Sequence, residues 1–368
     1  MHKKTPLHEK HVALGARMAP FAGWDMPIQY AGILTEHHHT RTRTSLFDTC
    51  HMGEFSISGP HAEGDLERLL TLRVGTLKDH QCRYGFMLNE AGGIIDDLTC
   101  YRLGPNRYLL VVNAGTLHAD AQWIRSHLSS DTVFEDQSDK LAKLDVQGPE
   151  SRAALEKALG VAVPELKFFY STEIHVCGVE CLLSRTGYTG EWGYELYFAA
   201  AEAPRIWDHL LAPGDIQPAG LGARDTLRLE IGYPLYGHEL SLDRTPAPIT
   251  GGRFLDTGKK FIGKEAVLRD LEQGTPEKLV ALQLNSKRAA REGASVLRDG
   301  EPVGVITSGS LAPSLGVAVA LAYVRSDLAQ PGQMLAAELR GQPLPARVVD
   351  LPFYKEGTAR KKRLTATT

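Results

Sequence analysis

Three strand-like segments, Arg83–Asn89, Gly93–Leu103 and Arg107–Asn113, follow one another with only Asn89-Glu90-Ala91-Gly92-Gly93 and Gly104-Pro105-Asn106 between them. Turns this short leave room for hairpins and nothing else, so this part of the chain is expected to be an antiparallel meander. Such a meander packs one face on a core or on a ligand. Phe55–Ser58 alternates and stops at Gly59-Pro60, a strand running into a turn. Ala62–Leu72 and Thr116–Leu128 place apolar residues at helical spacing and read as helices on either side of the meander.

The remainder follows the same logic. Pro20–Tyr30, with two prolines and a glycine, reads as a shaped loop or edge segment rather than a helix. Strands are expected at Lys143–Gln147, Glu173–Val176 and Glu180–Ser184, and helices at Ser151–Leu159, Ala203–Leu211 and Ala223–Ile231. From about Ser241, Pro246, Pro248 and Gly251-Gly252 read as a linker. Short strands separated by Gly/Pro turns then run to Phe353, the pattern of a small β-barrel or sandwich. At 368 residues, the chain has room for two or three domains.

Composition excludes more than it selects. Forty-one Lys+Arg against 44 Asp+Glu give a net charge of −3, so no general cationic field points to nucleic acid or a membrane surface. Apolar runs such as Val317–Val324 fall far short of the roughly 20 residues of a bilayer span, and the polar Met1–His11 has no secretory h-region. The five cysteines are odd in number and scattered, which favours a reducing compartment, the cytoplasm. Cys177 and Cys181 are expected on one face of a sheet as buried structural thiols, not as half of a metal site. His37-His38-His39 point in different directions on a helix and cannot share one metal, so one inward histidine on a polar face is expected. No metal site is expected.

Three stretches can carry chemistry. In Gly92–Leu98, Asp96-Asp97 follow a glycine turn inside a strand, where aspartate is disfavoured, and alternation sends the two to opposite faces. Whichever faces a cavity can recognise a ligand or transfer a proton; the alternative is an edge strand with one solvated carboxylate. In Arg185–Glu195, glycines at 187, 190 and 193 interleave with tyrosines and glutamates. That suits close approach to a flat ligand, or a tight strand–turn–strand. In Gly220–Glu230, a glycine-rich approach opens a helix with Arg224 in its first turn. The arrangement suits a carboxylate-bearing ligand, or an Arg224–Asp pair.

These segments, together with Thr5-Pro6-Leu7, Phe21–Tyr30, Ser45–Asp48, His51-Met52, Val111–Ala114, Leu235-Tyr236-Gly237 and Ile306–Leu315, resemble the aminomethyltransferase family, the T-protein of the glycine cleavage system. The resemblance runs in order from Thr5 to about Tyr354. It implies an α+β fold: a three-domain cloverleaf around a central folate-binding hole, with a C-terminal β-barrel-like domain. The implied domains are 1–50 with 138–240 (discontinuous), 51–137 (the meander carrying Asp97) and 241–368. The implied reaction takes the aminomethyl group from the dihydrolipoyl arm of the partner H-protein, releases ammonia and passes the one-carbon unit to tetrahydrofolate, giving 5,10-methylenetetrahydrofolate.

By the same resemblance, Asp97 matches the family's essential aspartate. Tyr84, Tyr101, Asn113 and Tyr188 match pterin-contacting positions. Glu195 matches the carboxylate that meets the pterin's donor edge, Arg224 a folate-binding arginine and Tyr233 an aromatic on the same side. Met52 is expected in the pocket wall, and Tyr354 and Lys355 near the folate tail. Thr245–Leu255 (TPAPITGGRFL) departs from the family's usual pattern by lacking its tryptophan. A folate-dependent demethylase of the same fold, or a non-catalytic folate-binding module, are the alternatives.

Overall fold

The structure is a computed structural model that describes residues 2–361, so Lys362 and Arg363 of the basic run Arg360–Arg363 lie outside the described residues. The chain opens with α1 (His8–Ala13), β1 (Arg17–Phe21), β2 (Trp24–Gln29), α2 (Ile33–Thr42) and β3 (Thr44–Asp48). Pro20–Tyr30 lies in a two-stranded hairpin. Phe21 pairs with Trp24 across Ala22-Gly23, both at positive φ.

Next come β4 (Gly53–Ser58), α3 (Ala62–Leu69), β5 (Cys82–Leu88), β6 (Ile94–Gly104), β7 (Arg107–Val112), α4 (Leu117–His127) and β8 (Val133–Asp136). The strands form one sheet in the order β5-β6-β7-β4-β8, with the expected meander as consecutive neighbours. Phe55, Met87, Leu98 and Cys100 pack with Leu66 of α3 and Ile124 of α4, so the helices cover one face, while Tyr101, Leu109 and Val111 of the other pack against Tyr197.

The chain continues through β9 (Leu141–Gln147), α5 (Ser151–Leu159), β10 (Ser171–Val176), β11 (Val179–Ser184), β12 (Gly193–Ala199), α6 (Ala203–Leu211), β13 (Ile216–Pro218) and α7 (Leu221–Ile231). Its sheet has the order β10-β11-β12-β9-β3-β13. β3 lies antiparallel to β9 and parallel to β13, so this sheet is built from chain on both sides of the meander. Leu144, Leu196, Ile206 and Trp207 centre its core. Cys177 departs from expectation: it occupies the β10–β11 turn at φ 52°, exposed, while Cys181 alone is buried in the strand. A type of turn needing positive φ beside Gly178 takes the residue out of the alternation on which the shared face depended.

The last part holds α8 (Ala247–Thr250), α9 (Lys264–Gln273), β14 (Glu277–Leu284), β15 (Ser295–Arg298), β16 (Glu301–Ala312), β17 (Val317–Arg325), β18 (Met334–Leu339) and β19 (Gln342–Val349). Its strands close into a barrel in the order β14-β17-β16-β15-β18-β19, filled by Val280, Leu282, Ile306, Ala320 and Val324. The segment read as a linker is a packed cap. Pro246 precedes α8, Gly251 ends it at φ 58°, and Ile249, Phe261 and Val267 bury themselves against Phe86, Leu88 and Ile94 of the meander. Proline at a helix start and glycine at its end are helix signals as much as breakers, which is how the stretch escaped a sequence reading.

Candidate functional site

The register of β5 on β6 decides where the two aspartates point. Phe86 lies opposite Asp97 and Tyr84 opposite Thr99, which puts Tyr84, Phe86 and Asp97 on one face. Asp96 lies opposite Met87 on the other, among the residues packed on α3 and α4. The ladder slips between Met87 and Leu88, leaving Ile95 as the extra residue of a bulge immediately before the pair. Gly93 is a spatial necessity: a Cβ there would stand 1.9 Å from the Leu242 carbonyl oxygen. That close approach lets the Ile94 N–H donate to Ser241 and Arg244, clamping the start of β6.

Though they face apart, one residue reaches both carboxyls. Asn113, just past β7, donates its backbone N–H to Asp96 Oδ2 (2.9 Å), and its Nδ2 lies 2.8 Å from both Asp96 Oδ1 and Asp97 Oδ1. The Tyr84 hydroxyl donates to Asp97 Oδ2 at 2.9 Å. Burial, reinforced by the charge of Asp96, pushes the Asp97 carboxyl up to about 7, against which the Tyr84 and Asn113 hydrogen bonds pull. A carboxyl poised there can hold or give up a proton at neutral pH. Burial and the neighbouring Asp97 push the Tyr84 phenol well above its usual value, so it stays a donor.

Tyr188 stacks on Tyr233 (ring centroids 5.6 Å apart, planes at 26°), and the Arg224 guanidinium lies 4.9 Å from the Tyr188 ring. The Tyr188 hydroxyl donates to the Pro234 carbonyl. Glycine at 187 and 193 makes this possible, since a Cβ at either would collide with the Gln147 side chain. Gln147 in turn ties the segment down through the Thr186 carbonyl and the Thr189 hydroxyl.

Behind this wall runs a buried chain of charge. Arg224 Nη1 donates to Asp145 Oδ2 (2.7 Å), and Lys143 Nζ donates to Asp145 Oδ1 (2.8 Å) and Glu195 Oε1 (2.9 Å). Burial works against the Lys143 ammonium, but the Asp145 and Glu195 carboxylates outweigh it and hold its pKa above the usual value. Of the two readings of Arg224, the aspartate pair is the one observed, and Nη1 is its only nitrogen in a side-chain hydrogen bond among the described residues. Glu195 Oε2 accepts from Thr186 (2.6 Å), Tyr197 (3.0 Å) and Tyr101 (3.4 Å). Only Oε1 therefore keeps room for another donor, which limits Glu195 to a single-oxygen contact while those hydroxyls stay in place.

The other expected residues are spread around these two groups. Met52 packs with Cys82, Tyr101 and Tyr197. Tyr354 lies against Arg41, its ring 4.3 Å from the guanidinium, and its N–H donates to the Glu230 carbonyl. Lys355 is exposed and takes no part in the cluster. The α7 N-terminus is partly spoken for, because the Gly220 N–H donates to Glu36 Oε2 at 2.8 Å. Of the histidine triplet, His37 points inward to Thr226 and Ser314 and His38 is exposed. No group of three or more metal-ligating side chains occurs among the described residues. Sequence reasoning passed over Lys143, Asp145 and Asp120. The signal for the first two is two charges at alternate positions among the apolar residues of a strand, which places both on one buried face.

The family model for the GCVT N-terminal domain matches residues 7–259, and that for the glycine cleavage T-protein C-terminal barrel domain matches 277–355. The Aminomethyltransferase of Halothermothrix orenii is 43% identical over 355 residues, 95% of this chain and 99% of that protein. That of Rubrobacter xylanophilus is 44% identical over 356 residues, 96% of this chain and 94% of its own. The crystal structure of glycine cleavage system aminomethyltransferase T from Bartonella henselae superposes with a TM-score of 0.92 at 34% identity, covering 97% of this chain and 99% of that one. With both halves matched and the likeness running end to end, the chain belongs to the glycine cleavage T-protein family.

Proposed function

We infer that this protein is an aminomethyltransferase. It takes the aminomethyl group carried on the dihydrolipoyl arm of the H-protein, releases ammonia and transfers the one-carbon unit to tetrahydrofolate, giving 5,10-methylenetetrahydrofolate. The observation that carries this reading is the likeness to proteins named Aminomethyltransferase over 95% or more of the chain. The residues suit such a substrate: stacked tyrosines offer a flat wall, and Arg224 offers a cation with open donor positions.

Tetrahydrofolate, when bound, supplies the amine nitrogens that accept the carbon. Asp97 is assigned the proton-handling role at its carboxyl, which ionises near neutrality. Tyr84 and Asn113 fix the orientation of that carboxyl. Arg224 is assigned to the folate carboxylates, and Tyr188 and Tyr233 to the ring wall. Glu195 and Tyr101 are assigned to the pterin's polar edge, and Met52 to the apolar wall. Tyr354, whose ring lies against Arg41, and the exposed Lys355 are assigned to the folate tail.

We divide the chain into 1–50 with 138–240, 51–137 and 241–368. No helix of the described residues is long and apolar enough to cross a membrane. The described cysteines are free thiols, which supports a reducing compartment, and we assign the cytoplasm. The test is formation of 5,10-methylenetetrahydrofolate from aminomethyl-loaded H-protein, run beside dimethylsulfoniopropionate as methyl donor. Turnover of the sulfonium alone would move the assignment to a demethylase.

A further inference from the structure

Asp120, on α4, is fully buried, and neither of its oxygens meets a donor with hydrogen-bonding geometry. Across the helix–sheet interface it meets the equally buried Asp96. Two carboxylates cannot stay in contact away from water with both ionised, so the pair must hold a proton. The hydrogen bonds say where. Both Asp96 oxygens already accept N–H groups from Asn113, the pattern of an ionised carboxylate, whereas Asp120 has no donor and is satisfied only by becoming one.

We propose that Asp120 carries a proton and donates it to Asp96, leaving on Asp96 the negative charge that sits beside Asp97. Asp120 is then a positioning residue: it touches no substrate and acts through Asp96 and Asn113 on the carboxyl assigned to catalysis. This inference rests on the reading of Asp97 given above. Among the described residues, Thr116, Asp97 and Tyr236 face Asp120, while Asn113 and Tyr236 face Asp96. None of them is a cation. Burial pushes Asp120 up to about 7 and Asp96 well above its ordinary value, so the pair keeps a proton; the Asp96–Asp120 contact pulls that proton toward Asp96, and the two Asn113 hydrogen bonds, which favour the charged form of Asp96, pull it toward Asp120.

The test compares two variants of the full chain. Asp120→Asn keeps an N–H donor toward Asp96 with nothing to titrate, so it mimics the protonated acid. Asp120→Leu removes the donor, and Asp96 must then protonate itself. Asp97 loses its charged neighbour, and the midpoint of the pH–rate curve should fall by about one unit. In Asp120→Asn that midpoint should stay within a few tenths of the parent value. A merely structural role for Asp120 would move rates and stability in both variants without moving the midpoint.

An infrared difference spectrum between the parent and Asp120→Asn at neutral pH provides a second readout that does not depend on turnover. It should show the loss of one protonated-carboxyl C=O band. Absence of that loss, or equal midpoint shifts in the two variants, would overturn the proposal. Loss of the band with no ionisation at all in the pH–rate curve would keep the buried proton and instead count against the assignment of Asp97.

Discussion

The hydroxyl of Tyr84 lies 2.9 Å from Asp97 Oδ2, a diagonal contact across the β5–β6 ladder in which a half-buried phenol steadies a half-buried carboxylate. That bond favours the charged form of Asp97, opposing burial. Tyr84→Phe should therefore raise the Asp97 pKa further above about 7. A hydrogen bond to a charged group is worth about 1.5 kcal/mol or more, so the midpoint of the pH–rate curve should move up by about one unit. An unmoved or lower midpoint would show that the phenol does not speak to this carboxyl.

Replacing the carboxyl itself separates catalysis from binding. Asp97→Asn keeps the shape and the Asn113 contact but cannot exchange a proton. We expect kcat to drop by about 100-fold or more, with tetrahydrofolate affinity within a few-fold of the parent. The same variant has a thermodynamic signature. The Asp97 pKa is raised from 3.8 to about 7, so its folded state is favoured below pH 3.8 and that advantage is lost as pH rises through about 7. Asn carries no such loss. Asp97→Asn should thus be more stable than the parent at alkaline pH, by about 2 kcal/mol after discounting for the partly open side chain, and show no gain in acid. Denaturant titrations at two pH values on either side of this window measure it.

Arg224 presents a different kind of test, because its Asp145 partner holds only Nη1. Lysine at this position has a single ammonium group, which Asp145 would capture. For Arg224→Lys we expect the KM for tetrahydrofolate to rise by about tenfold or more, with kcat within a factor of about three. A KM unchanged by this substitution would remove Arg224 from the binding site.

Part of this organisation is legible in the chain before any coordinates. β5, β6 and β7 fall within a residue of expectation because alternation and glycine turns act locally, and those signals are strong. The same alternation placed Asp96 and Asp97 on opposite faces. What it could not supply is Asn113, which meets both because β7 happens to end beside them. The Asp96–Asp120 contact is likewise invisible, since it depends on how α4 settles on the sheet. α9 was missed for another reason: Gly251-Gly252 and the prolines before it masked the helix that follows, whose apolar face is specified only by the meander it covers. The resemblance singles out Glu195 and Arg224 but carries no sign of the ion pairs that join them through Lys143 and Asp145.

That joining link can be broken deliberately. Lys143→Met leaves Glu195 without its cation and Asp145 with Arg224 alone, all in a buried setting. Removing one partner of a buried ion pair costs about 3 kcal/mol or more. The Lys143→Met, Glu195→Gln double variant takes away the orphaned charge and should recover about 1 kcal/mol of that loss. Urea unfolding of both variants decides it. A single-variant cost under about 1 kcal/mol would mean the network is relaxed by water.

Residues 358–361 cross the glycine-rich stretch carrying Tyr188, with the Ala359 N–H donating to the Gly190 carbonyl. Arg185 Nη2 donates to the Ala359 (3.1 Å) and Lys361 (2.8 Å) carbonyls, and the guanidinium stacks 3.4 Å from the Trp192 ring. Thr358 closes the other side through Glu191 Oε2 (2.5 Å) and the Trp192 N–H (2.8 Å). The segment thus holds residues 190–192 by backbone and side chain at once, and a looser segment means a looser Tyr188. Arg185→Ala removes the two carbonyl contacts and the stacking together. It should speed proteolytic cleavage near Thr358 and raise the KM for tetrahydrofolate by about tenfold, whereas Thr358→Val, which keeps Arg185, should do less of both. Faster cleavage with an unchanged KM would uncouple the segment from the ligand wall and leave it a fastening of the fold alone.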